Sequence, residues 1–191
     1  MSGTPGADSS PRIPASAAAL VDLLNSQPHG TAGLFPDQLE EPARAEEVLR
    51  PFGQPEGVPP TPDRVAAVSR LRATLVDIVA APDAVGLASR WAELDALTSS
   101  VALRQDFSAD GAVKLRQIGG DPVVGAISLA VAELVTDGTW NRVRACDNER
   151  CRHVFYDTTR SRTQRWHSYE TCGNRRNVAA YRARKKAKPH D

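Results

Sequence analysis

All three cysteines of this 191-residue chain fall between positions 146 and 172, and their spacing is that of ligands. Cys146 and Cys151 are separated by four residues, and His167 and Cys172 repeat that separation. An odd cysteine count argues against a closed disulfide framework and favours metal binding. A closed structural zinc site takes four donors, and thiolate and imidazole are the preferred ones. Cys146, Cys151, His167 and Cys172 supply a Cys3His set, with 15 residues between the two pairs, as in ordinary two-pair zinc modules. His153 is the alternative imidazole. It lies two positions from Cys151, where chelation by so near a neighbour is strained, so His167 is the expected fourth ligand of one structural Zn2+ per chain.

The flanks of the first pair support a knuckle. Val143 and Ala145 alternate with arginines before Cys146, and Val154 and Tyr156 frame Phe155 after Cys151. The pattern predicts two short strands joined by a Cys-x4-Cys turn with both sulfurs at its tip. Charge separates this end from the rest of the chain. Residues 1–139 carry 10 Lys+Arg and 18 Asp+Glu, a net of −8, whereas residues 140–191 carry 14 and 5, a net of +9. The overall +1 therefore conceals an acidic body joined to a basic tail, a split that points to a nucleic-acid partner for the basic end.

The body reads as mainly helical. Residues 1–14 are Gly, Pro, Ser and Asp with little to bury and are expected to form a disordered leader. Helices are predicted from Ala15 to Leu24, from about Pro42 to Leu49, from Thr61-Pro62-Asp63 onward, from about Asp83 to Thr98, and from Asp121-Pro122 to a cap at Gly138. Apolar stripes follow at helical spacing: Val65, Val68, Leu71, Leu75 and Val79 in the third, then Leu87, Trp91, Leu94 and Leu97 in the fourth. The last predicted helix has Val124, Ile127, Val131, Leu134 and Val135. Between them, residues 101–107 and 113–118 alternate around Asp110-Gly111, predicting one β-hairpin. The fold class expected is α+β, mainly α: a helical N-terminal domain over 15–139 with one hairpin, then a small knuckle hairpin plus helix over 140–188. No apolar run approaches the roughly 20 residues of a membrane-spanning helix, and the start lacks a signal-peptide core, so a cytoplasmic protein that avoids membranes is expected.

Trp166-His167-Ser168 followed by Cys172-Gly173-Asn174-Arg175, after the Cys-x4-Cys knuckle and Phe155-Tyr156-Asp157, resembles the CGNR zinc-finger family. The match runs from Arg142 to Arg184, and the chain has His167 where that family normally has cysteine. Imidazole can replace thiolate on zinc, so the resemblance implies a site with one less negative charge. The body is similar to the ABATE domain that usually precedes this finger in stress-induced bacterial transcription regulators. Leu20-Val21-Asp22-Leu23-Leu24-Asn25-Ser26 and Arg70-Leu71-Arg72-Ala73-Thr74-Leu75 carry that similarity.

Beyond the last ligand, a basic helix is expected from Asn177 to Lys188. Arg182, Arg184, Lys185, Lys186 and Lys188 are candidates for phosphate contacts, with Arg160, Arg162 and Arg165 as a second basic edge. Arg175, Arg176 and Asn177 are the candidates for base edges, since Arg suits guanine and Asn suits adenine. Gly173 is expected to permit a tight approach to the metal and Asn174 to cap a helix or orient the site. Arg175 has a pairing with Asp157 as its alternative, and Trp166 and Phe155 are expected to form the finger's small core. The body holds no cysteine, one histidine (His29) and no phosphate loop, so no enzyme is expected. The leading expectation is a regulator that binds double-stranded DNA, its body a sensor for a small-molecule effector or a homodimerisation module. The alternatives are a zinc-stapled protein-interaction module whose basic tail docks on the acidic body, and an RNA-binding protein.

Overall fold

A computed structural model describes residues 13–28, 36–81, 84–148 and 150–174. Residues 1–12 of the expected leader (1–14) and the expected basic helix from Asn177 to Lys188 lie outside these residues. Among the described residues there are five α-helices and two two-stranded antiparallel sheets, the mainly helical α+β arrangement expected. The helices are α1 (Ala15–Asn25), α2 (Pro42–Leu49), α3 (Pro62–Ala80), α4 (Ala84–Thr98) and α5 (Pro122–Thr136). Strands β1 (Ala102–Phe107) and β2 (Val113–Gly119) form the first hairpin, and β3 (Val143–Ala145) and β4 (Val154–Tyr156) form the second. No described helix is long and apolar enough to cross a membrane.

Helix starts follow local chemistry. The Thr61 hydroxyl accepts a hydrogen bond from Arg64 N at 3.3 Å, and Pro62 occupies the first turn of α3. The Asp121 carboxylate accepts from Val123 N and Val124 N at 2.9 and 3.1 Å, starting α5 ahead of Pro122. These side chains take up donors that a helix leaves unpaired at its N-terminus. At the other end of α5, Gly138 has φ +67°, a left-handed conformation that costs glycine little. Thr139 N then donates to Leu134 O at 2.9 Å, closing the helix.

One core joins these pieces. Leu20, Leu23 and Leu24 of α1, Val68, Leu71, Leu75 and Ile78 of α3, and Val123, Ile127, Val131 and Leu134 of α5 are buried together. Val135, expected on the inward face of α5, is 47% exposed, while Val123 takes an inward place at the start of the helix. Trp91 of α4 packs edge-on against Trp140 at a centroid distance of 5.7 Å. The core also takes in Val143, Val154 and Tyr156, so one face of the β3–β4 hairpin is buried against the helices.

A buried ion pair ties α1 to α3. Arg72, 4% exposed, donates from Nη1 to Ser26 Oγ at 2.7 Å and to Asp37 Oδ1 at 2.8 Å, and its Nη2 pairs with Asp37 Oδ2. Ser26 Oγ in turn donates to Leu23 O at 2.7 Å. The geometry holds the end of α1 in place, and that end meets the second hairpin.

Candidate metal centre

The β3–β4 hairpin pairs Val143 with Tyr156, Arg144 with Phe155 and Ala145 with Val154. Because strand side chains alternate, Val143, Val154 and Tyr156 face the helical core while Phe155 faces the other way. Phe155 packs instead with Cys146 and Cys172, alongside Cys151 and Trp166. The hairpin is therefore a two-faced plate, with the body behind it and the cysteines in front. Phe155 and Trp166 form the small core of this region, as expected from the sequence.

The Cys-x4-Cys turn is built by its own backbone. Cys146 N donates to His153 O at 2.8 Å, Cys151 N to Asn148 O at 2.7 Å, and Arg150 N to Asn148 Oδ1 at 3.2 Å. Arg152 takes φ +56°, a left-handed conformation uncommon for a residue with a Cβ, as the chain turns back into β4. The second ligand pair comes from a wide helical turn over Tyr169–Gly173. Ser168 opens it: its Oγ accepts from Thr171 N at 3.3 Å, and its carbonyl accepts from Cys172 N and Gly173 N at 3.0 and 3.3 Å.

These elements bring the ligating atoms of Cys146, Cys151, His167 and Cys172 within 4.8 Å of one another. A tetrahedral zinc with Zn–S near 2.3 Å and Zn–N near 2.0 Å holds its donors roughly 3.5–3.8 Å apart. The 3.4 Å separation of Cys151 Sγ and His167 Nδ1 is of that size. His153 is outside the cluster; its ring stacks against that of His167 at 4.4 Å between centroids. The donor set fits one structural zinc ion.

The electrostatics of the sulfurs also call for a cation. Burial pushes the Cys151 thiol up to about 12, and the adjacent Cys172 and Cys146 add to this against a backbone hydrogen bond at His153. Cys172 is shifted down: against its burial, the Asn148 amide (Nδ2 to Sγ 3.4 Å) and the two neighbouring sulfurs favour its thiolate. Three thiolates at this spacing repel one another, and a divalent ion is what lets all of them ionise. Bound there, zinc would supply cross-linking of the knuckle to the 169–173 turn, a folding contribution rather than a reaction.

The loop between the ligand pairs is organised by a buried carboxylate. Asp157 is fully buried, and its Oδ1 accepts from Thr159 N and Thr159 Oγ1 at 2.8 and 2.5 Å. Its Oδ2 accepts from Gln164 N at 2.9 Å and from Arg144 Nη1 at 3.4 Å. Burial alone would raise its pKa, but these donors outweigh it and hold the carboxyl below the usual range. Arg142 Nη1 closes the same loop by donating to Asp157 O and Thr159 O at 2.8 and 3.0 Å. In the sequence Asp157 stood out as part of the Phe155-Tyr156-Asp157 run and as an alternative partner of Arg175, which lies outside the described residues.

The expected nucleic-acid residues divide. Arg160, Arg162 and Arg165 are exposed in that loop. Arg162 donates to Asn141 Oδ1 at 3.3 Å. Arg165 donates from Nε to Asp147 Oδ2 at 2.8 Å and lies over the Trp166 ring, so its charge is partly engaged within the finger. Arg175, Arg176, Asn177, Arg182, Arg184, Lys185, Lys186 and Lys188 lie outside the described residues. Gly173 also makes room for two aromatic rings: a Cβ there would stand 2.7 Å from Tyr169 Cδ2 and 3.2 Å from Trp166 Cε3. Ser168 is the N-cap of the turn and Asn174 its C-cap, the Asn174 backbone N–H donating to Tyr169 O.

Asn25, at the end of α1, is a residue that sequence reasoning did not single out. Its Nδ2 donates to Val154 O and its Oδ1 accepts from Val154 N, both at 2.8 Å. The side-chain amide thus pairs with β4 as a neighbouring strand would, and Nδ2 also lies 3.4 Å from His153 Nε2. Helix α1 is clamped to Val154, the residue before the cysteine-facing Phe155.

A hairpin knuckle and a helical turn closing a Cys3His cluster define this region as a zinc-finger module. The CGNR zinc-finger family model matches residues 142–185. That span contains all four ligands, the Asp157 loop and the Cys172-Gly173-Asn174-Arg175 signature. No curated protein matches the chain.

Proposed function

We propose that this chain is a DNA-binding transcription regulator, with a zinc-stabilised C-terminal reader and a helical body that senses an effector or dimerises. The observation that carries the reading is the placement of the Cys3His cluster directly before the most basic stretch of the chain. Seven Lys and Arg fall within residues 175–188, beginning three positions after Cys172. A metal-fixed turn can aim such a segment at a phosphate backbone without a large core of its own. Arg160 and Arg162 extend the cationic surface onto the described loop. The four protein donors would fill a tetrahedral shell, leaving no open position for substrate, which supports a binding role over an enzymatic one.

The sensor part of the reading has its own support. A cleft of about 900 Å³ lies at the junction of α3, α4 and β3, walled by Trp91, Trp140, Leu87 and Val79 and bordered by Arg144 and Asp147. A compound seated there would touch both α3 and β3, joining the body to the metal centre.

The test is duplex affinity as a function of salt, measured by fluorescence anisotropy on zinc-loaded protein. Phosphate contacts give log K a slope of about −0.9 per contact in log salt, so Lys185→Ala with Lys186→Ala should flatten the slope by about 2. Absence of binding at low salt, or an unchanged slope in the double variant, refutes the reading. Tighter binding to single-stranded RNA than to duplex would favour an RNA partner instead.

A further inference from the structure

The β1–β2 hairpin leaves an apolar face uncovered. Gln117, near its base, turns toward α5: its Nε2 donates to Gly119 O and Asp121 O at 3.0 and 2.9 Å, and it lies against Gly125. Register and alternation place Leu103, Gln105, Phe107, Val113 and Leu115 on the same face as Gln117. Toward the tip that face runs out past the helix. Phe107 is 75% exposed, and Val113, Leu115 and Leu103 are 54%, 45% and 38% exposed. The opposite face holds the charges: Asp106 accepts from Arg104 Nε at 2.9 Å and from Arg116 Nε at 2.7 Å. Among the described residues, no backbone group from outside the hairpin pairs with the outer edge of β1.

We propose that the outer edge of β1 is a homodimerisation edge, at which two copies of this chain pair antiparallel about a two-fold axis through Gln105 to form a four-stranded sheet. Charge complementarity selects this partner and this register. Leu103-Arg104-Gln105-Asp106-Phe107 reads apolar, positive, polar, negative, apolar. Paired antiparallel with itself about Gln105, it sets Arg104 opposite the partner's Asp106, Asp106 opposite the partner's Arg104, and Leu103 opposite the partner's Phe107. Directly opposed unlike charges and apolar pairs stabilise a sheet, whereas like charges destabilise it. Centring the axis on Arg104 or Asp106 would oppose two like charges. Strand β2 cannot replace β1: centred on Leu115, it would set Lys114 opposite Arg116. Pairing β1 with β2 of another copy is heterologous and need not close, whereas the two-fold arrangement closes and leaves no β1 edge for further growth.

The same symmetry addresses the bare tip. An antiparallel pair lays the tip of each hairpin beside the base of the other, where the partner's α5 is. Phe107 and Val113 are thereby brought toward a helical surface that their own body does not extend to. The pairing rests on the dimerising role proposed above for the body, and it holds whether or not nucleic acid is the partner of the finger.

The experiment is a mixing test on the full zinc-loaded chain by sedimentation. The wild type is expected to show twice the 20.6 kDa chain mass. Arg104→Asp alone and Asp106→Arg alone each oppose like charges across the axis and should raise the dimer dissociation constant by about tenfold or more. Mixed in equal amounts, the two variants oppose Asp to Arg at both positions, and dimer should return as the heterodimer. A monomeric wild type at ~100 µM, a range that still detects weak association, would overturn the proposal. So would two variants that dimerise as well as the wild type, or two monomeric variants whose mixture stays monomeric.

Discussion

Replacing Asn25 with alanine tests whether the zinc module and the helical body are one folding unit. Asn25 makes two 2.8 Å hydrogen bonds to the backbone of Val154, a residue 1% exposed. Alanine leaves both the N–H and the C=O of Val154 without a partner. A buried backbone group so orphaned costs about 1–3 kcal/mol. Asn25 itself is half-buried, so water would reach part of the gap, and about 2–3 kcal/mol in total is the expected loss. For a chain of this size each kcal/mol lowers Tm by roughly 2–4 °C, giving a drop of about 4–12 °C. Thermal melting of the zinc-loaded protein, followed by circular dichroism, measures it. Asn25→Asp is the shape-matched control: its carboxylate accepts from Val154 N but has no proton for Val154 O, so it too must be destabilised at neutral pH. A Tm within 1–2 °C of wild type for Asn25→Ala, well below the shift that two buried bonds imply, would show that the clamp contributes nothing.

Other perturbations probe the site and its supports. Metal analysis of the purified reduced protein should give about one zinc per chain, falling to background in Cys172→Ser, which removes one of four donors. Acidification should release that zinc, because thiolate and imidazole ligands take up protons as pH falls. Asp157 adds a term of the same sign at lower pH: its carboxyl sits below the ordinary 3.8, so its stabilisation is full above that value and is lost as pH drops through the folded one. Asp157→Asn should therefore flatten acid unfolding below about pH 4 in a chemical-denaturation series. Gly173→Ala should cost about 1–3 kcal/mol by overpacking, and Tyr169→Ala should recover most of that in the double variant, since the 2.7 Å clash is with the Tyr169 ring. Arg72→Leu leaves the Asp37 carboxylate and the Ser26 hydroxyl without their guanidinium; loss of about 3 kcal/mol is expected, read from urea unfolding.

Much of this organisation was legible because short-range chemistry determines it. Thr61-Pro62 and Asp121-Pro122 are caps whose action spans three residues, and Cys-x4-Cys is a turn whose hydrogen bonds close on Asn148 within itself. Choosing His167 over His153 also followed from local geometry, because chelation by a donor only two residues from Cys151 is strained. What stayed hidden depends on contacts far apart in sequence. Asn25 and Val154 are separated by 129 positions, and Arg72 and Ser26 by 46, so neither pairing has a periodic or spacing signature. The exposed hairpin was misleading in another way. Alternation predicts a strand with an apolar face but not what covers that face, and here the host body covers only the base.

The charge split at residue 139 invites a picture of two separately folded halves on a tether, and the core argues against that picture. Val143, Val154 and Tyr156 are buried with the helices while Phe155, between two of them in sequence, packs against the cysteines. The same three-residue strand therefore belongs to both units, and neither can release it without exposing apolar surface. Linkage makes this reciprocal: whatever free energy the docked body contributes to the zinc-bound hairpin, zinc must contribute to the docked body. If the hairpin undocks when metal leaves, Asn25→Ala will weaken zinc affinity by a factor that corresponds to its stability loss. If the hairpin stays docked, the variant will melt earlier yet hold zinc as tightly as the wild type. A chelator titration on the two proteins separates these cases. The buried face of β3–β4 favours the second, because removing an ion from one side of the strand leaves the contacts on the other intact.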